Sequence, residues 1–163
     1  MLKGTLSTKF LILVLAFSAH NIEESVLGLA DWMAASGGNS DQVEEARFQL
    51  ALVMVTTLAW LIYFWVRSSQ PQPARCWVAG LVAAALLTNS ISHIGYTLAT
   101  QTLMPGVVTA TLLMGPISLL VLLDSAEQLR LRTPQRLLMF GGGLLLHFIT
   151  IVATLALASI FLA

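Results

Sequence analysis

Five stretches of the chain, roughly 10–30, 48–67, 77–99, 106–126 and 137–162, are apolar over lengths close to a membrane crossing. A helix needs about 20 mostly apolar residues to span the hydrocarbon core. Inside that core the backbone must satisfy its own polar groups, which restricts the stretches to helices. Composition agrees. Hydrophobic residues make up 57% of the 163 residues, charged residues only 10%, and the mean hydropathy is +0.84. Soluble domains carry about 25% charged residues. The sequence therefore predicts an all-α, polytopic membrane bundle of five helices in a single domain covering 1–163. The formal net charge is zero, which gives no sign of nucleic-acid binding. The lone cysteine, Cys76, excludes an internal disulfide and any multi-cysteine metal site.

The connectors carry turn-forming residues: Ser36–Asp41, then Gln70-Pro-Gln-Pro73, Met104-Pro105-Gly106 and Thr133-Pro134. Within the spans, Pro116 should kink the fourth helix or free a carbonyl. Gly141-Gly142-Gly143 should let the fifth helix approach a neighbour closely. Basic residues set the orientation. With the N-terminus in the cytoplasm, the inner segments hold Lys3, Lys9, Arg67, Arg75, Arg130, Arg132 and Arg136, and the outer ones only Arg47. Five spans then put the C-terminus outside. Lys3, Lys9 and the apolar run ending at Ala16-Phe17-Ser18 also resemble a cleavable signal. Because apolar residues resume after Glu24 and complete a full span, retention is the expectation.

The polar residues inside these spans are few. In the first span, His20-Asn21-Ile22-Glu23-Glu24 interrupts an apolar run. His20, Glu23 and Glu24 stand at i, i+3 and i+4, which places them on one helical face. A carboxylate in hydrocarbon is costly unless paired, neutralised or metal-bound. Asn89 and His93 share a face of the third span, Tyr96 lies i+3 from His93, and His147 occupies the fifth. Counted along the helices, His20, Glu24, Asn89, His93 and His147 fall within a band of roughly 9 Å. The expectation is a polar pocket facing the bundle interior, with His20, Glu24, His93 and His147 as metal ligands. His20, Glu23 and Glu24 are the candidate catalytic groups, and Asn89, Tyr96, Pro105 and Gly106 support them. The adjacent glutamates differ by about 100° around the helix, so they should play unequal roles, with Glu24 the more direct partner of His20.

The first-span motif His20-Asn-Ile-Glu23-Glu24, the later His93 and the Pro105-Gly106 pair together resemble the HXXEE family, small, predominantly bacterial membrane proteins of unknown function. The family's third signature is Tyr-x-Pro-Gly, and here Leu103 replaces the tyrosine. The resemblance implies a multi-pass protein of a bacterial cytoplasmic membrane and leaves the reaction open.

Imidazole and carboxylate ligands suit zinc, iron or manganese. The leading expectation is thus a membrane-embedded enzyme with a divalent metal acting on a lipid or isoprenoid-like substrate. A metal-free isomerase or cyclase would use the same groups as acid and base. A small proton or cation transporter is the remaining alternative.

Overall fold

The computed structural model describes residues 5–35, 42–67 and 72–162. Lys3, the connector 36–41, Gln70 and Pro71 lie outside the described residues. Regular structure among the described residues is entirely helical: α1 (Leu6–Val26), α2 (Leu29–Ala35), α3 (Gln42–Val66), α4 (Pro73–Thr100), α5 (Val107–Gln128) and α6 (Thr133–Phe161). The bulk of α3, together with α4, α5 and α6, is long and apolar enough to cross a membrane. The first expected span is not one straight helix. It breaks after Val26, where Gly28 takes φ +68°, and resumes as α2 with a bend of 56°. A left-handed glycine ends a helix at little steric cost. The bent pair counts as a fifth span if both halves belong to one crossing.

The helix starts follow local chemistry. The Thr5 side chain accepts from the Thr8 amide to cap α1. Extended Gln72 precedes Pro73, whose missing N–H costs nothing in a first turn. The start of α6 has Pro134 in its first turn, and the Gln135 side chain accepts from the Arg132 amide. The α4 helix ends at Gln101, which adopts the left-handed conformation at φ 57°.

The α4 helix is the axis of the bundle, with Ala79, Ala83 and Ala84 fully buried. Small residues matter here because, between apolar helices in lipid, close packing replaces the hydrophobic drive. A Cβ on Gly143 would sit 2.2 Å from the Ala84 Cβ and 2.8 Å from the Leu81 carbonyl oxygen, so α6 lies almost backbone to backbone on α4. Gly142 faces Leu81, whereas Gly141 faces open space. The glycine triplet thus serves close packing through two of its three members.

Within α5, residues Ala110–Met114 form a π-helical turn closed by the Gly115 amide on the Ala110 carbonyl. Pro116 follows at once and has no N–H for the Leu112 carbonyl; widening the preceding turn accommodates it. The structure thus absorbs the expected proline perturbation as an added-residue turn. At the far end of α5, Asp124 is ion-paired with the largely buried Lys9. This contact fixes the start of α1 and the end of α5 at the same end of the bundle.

Gly143→Ala should destabilise the detergent-solubilised protein by about 1–3 kcal/mol, the usual cost of overpacking. Gly141→Ala should leave the melting temperature unchanged or raise it slightly. Paired thermal melts check both outcomes.

Candidate metal centre

Burial on α1 follows the helical period: Phe10, Leu13, Val14, Phe17, His20, Asn21 and Glu24 are buried. His20 is fully enclosed, Glu24 is 6% exposed, and His93 from α4 is 2% exposed. One oxygen of Glu24, Oε1, lies 3.2 Å from His20 Nε2 and 3.0 Å from His93 Nε2. The imidazole rings meet edge to face with centroids 4.6 Å apart. These three residues form a group whose ligand atoms all lie within 4.8 Å of one another. Two ligands bound about 2.1 Å from a metal stand roughly 3.0–3.4 Å apart, depending on the angle between them. The two carboxylate–imidazole spacings fall in that range, and the trio as a whole is held within 4.8 Å.

Proton placement bears on what the trio can do. His20 Nδ1 lies 3.0 Å from the Gly106 carbonyl oxygen, which can only accept. It is also 3.1 Å from Thr109 Oγ1, whose hydrogen bond to the same carbonyl leaves a lone pair free for the imidazole. Nδ1 therefore carries the hydrogen, and in a neutral imidazole Nε2 is bare. Holding one ring nitrogen on a backbone carbonyl is the usual way a metal-binding histidine is oriented. The bare Nε2 faces Asn89 Nδ2 at 2.9 Å and Glu24 Oε1. That lone pair accepts from the Asn89 amide, so a cation or proton binding there would displace this hydrogen bond. His93 Nδ1 is buried and makes no hydrogen bond among the described residues.

Glu23 does something else. Its Oε2 accepts from the Thr109 amide at 2.9 Å and its Oε1 from the Val108 amide at 3.3 Å. Gly106 is the N-cap of α5 and has no side chain to offer those amides. Glu23 supplies the missing cap from a neighbouring helix and places negative charge at the positive end of the α5 dipole. It thereby pins the turn whose carbonyl orients His20. Gly106 itself lies against the trio. At φ +88°, a Cβ there would come within 2.7 Å of His20 Cε1, 2.9 Å of Glu24 Cγ and 2.9 Å of His93 Cε1.

The expected site residues separate accordingly. His20, Glu24, His93, Asn89 and Gly106 come together, with buried Pro105 leading into the turn. Tyr96 is 57% exposed and stands away from the trio, as does Leu103, at 76%. His147 is half-buried on α6 beside Phe148 and is not among the three converging ligands. Thr109 joins the site without having been expected there. A lone threonine three residues after a Pro-Gly pair carries no signal until that turn is seen folded against α1.

The fold and this cluster define a helical bundle built around a buried His/Glu trio. A family model described as a protein of unknown function with HXXEE motif matches residues 11–121, and the chain belongs to that family. The match includes every residue of the trio and the Pro105-Gly106 turn and stops short of His147. Comparison with curated proteins and with solved structures finds no match.

Gly106→Ala should cost about 2 kcal/mol or more, from left-handed strain plus contact with three side chains. Gly95→Ala, where nothing lies within 4 Å, should cost nothing measurable. Glu23→Ala should lose about 1 kcal/mol as a missing helix cap, and Glu23→Gln, which keeps an acceptor, should lose less. Thermal unfolding in detergent ranks the four variants.

Proposed function

We propose that the chain is a membrane-embedded enzyme that binds one divalent metal through His20, Glu24 and His93 and acts on a lipophilic substrate. The observation that carries this reading is the convergence of two imidazole nitrogens on one buried carboxylate oxygen, at 3.2 and 3.0 Å. Two histidines and one carboxylate form a donor set for zinc, iron or manganese that leaves coordination positions open. A metal bound there would supply Lewis acidity toward a bound oxygen or a lowered pKa for a bound water.

The chain's own groups do the positioning. The Gly106 carbonyl keeps His20 Nδ1 protonated and turns Nε2 toward Glu24. Asn89 donates to the same nitrogen, and with that lone pair on a metal its amide would be released to hold a polar atom of a substrate. The surrounding helices exclude water, which strengthens each electrostatic contact. A substrate reaching a site enclosed by apolar helices arrives from the bilayer. Under this reading the end bearing Lys9, Arg130 and Arg132 faces the cytoplasm.

One observation favours a second, metal-free reading. Glu24 Oε1 is within hydrogen-bond distance of both Nε2 atoms, so a proton held between them could serve acid–base chemistry instead.

Metal analysis of the purified protein separates the two. The wild type should carry about one equivalent of divalent metal, as a three-ligand site implies. His20→Ala, Glu24→Ala and His93→Ala should each retain less than about a tenth of that, while His147→Ala should keep it. Metal at background in a folded wild-type protein would sink the metal reading and leave the acid–base one.

A further inference from the structure

The α1 helix has a second polar face beside the one that carries the trio. Asn21 and Ser25 each follow a trio residue and are displaced by about 100° around the helix, toward α3. Three hydrogen bonds cross that seam: Trp60 Nε1 donates to Ser18 Oγ at 3.1 Å, Asn21 Nδ2 to Thr56 Oγ1 at 2.6 Å, and Ser25 Oγ to Gln49 Oε1 at 2.7 Å. Two of the directions are fixed by the neighbouring bonds. The Thr56 hydroxyl hydrogen is committed to the Leu52 carbonyl and that of Ser18 to the Val14 carbonyl. Asn21 must therefore turn its nitrogen to Thr56, and its carbonyl oxygen is left over.

The same seam lines a cavity of about 330 Å³ whose apolar wall includes Ile22, Leu52 and Val53. Ile22 and Val53 are 63% and 62% exposed, so the cavity opens sideways between two helices of the bundle. No charged side chain lines it among the described residues. The Asn21 carbonyl oxygen and the Gln49 amide nitrogen make no hydrogen bond among the described residues. The cleft thus offers a bound head group one acceptor and a pair of donors.

We propose that this cleft binds a neutral, single-chain lipid with a hydroxyl-bearing head, of the monoacylglycerol class. The chain lies along Ile22, Leu52 and Val53, and the head gives a hydrogen bond to Asn21 and takes one from Gln49. Absence of charge in the lining disfavours fatty-acid anions and phospholipid head groups. The volume lies at the lower end of ligand pockets and suits one hydrocarbon chain better than two. The proposal stands apart from the metal reading, because none of the trio lines the cleft.

The test uses the whole chain in phosphatidylcholine nanodiscs with a monoacylglycerol carrying a diazirine on its acyl chain. Photolabelling should concentrate on peptides of α1 and α3 and be competed by unlabelled monoacylglycerol. It should not be competed by the fatty acid of equal length at a pH where that acid is ionised. Gln49→Leu should lower labelling at least about fivefold, the scale of one lost hydrogen bond. Val53→Trp, at an exposed position that tolerates bulk, should block the cleft even if Gln49→Leu does not fold. Labelling spread equally over the lipid-facing side of α6, equal competition by the fatty acid, or wild-type labelling in Val53→Trp would each overturn the proposal.

Discussion

A carboxylate inside an apolar bundle is stable only where donors or opposite charge replace the water it has lost. The two neighbouring carboxylates of α1 find that replacement in different places. Glu24 lies between two imidazoles. Glu23 lies on the open amides of the first turn of α5. The second contact governs the first, because it holds the Pro105-Gly106 turn against α1. That turn then presents the carbonyl that sets the His20 tautomer. Remove the side chain at position 106, as the sequence does by using glycine, and the backbone comes close enough to seal the trio. The price is a helix start with no cap of its own, which Glu23 makes good.

This arrangement explains why two acidic residues stand side by side in a greasy span. They project about 100° apart on the helix, and each satisfies a different partner. Neither could take over the other's work without leaving amides or imidazoles unpaired in a low-dielectric interior.

Much of this was legible from residue spacing. Long apolar runs announced the helices, and i, i+4 spacing placed His20 with Glu24 and Asn89 with His93 on common faces. The division of labour between Glu23 and Glu24 was legible only as an inequality, since periodicity gives angles around one helix and says nothing of what stands opposite. The break at Gly28 was hidden because one glycine in an apolar run is common in membrane helices. Tyr96 illustrates the reverse failure. Its i+3 spacing from His93 is right for one face, yet the ring lies on the outward side of that face. Depth grouped His147 with the others, and the residue is close enough to sense the charges of His93 and Glu24 without being one of the three converging ligands.

The π-helical turn at Ala110–Met114 adds roughly one residue to the winding of α5. The two ends of that helix answer to different demands: Thr109 must meet His20, and Asp124 must meet Lys9. A uniform α-helix would lock the angular positions of these ends together through a fixed 100° step. The wide turn works as a phase offset between them. It lets the interior chemistry and the ion pair at the rim be satisfied on the same rod, each at its own angle.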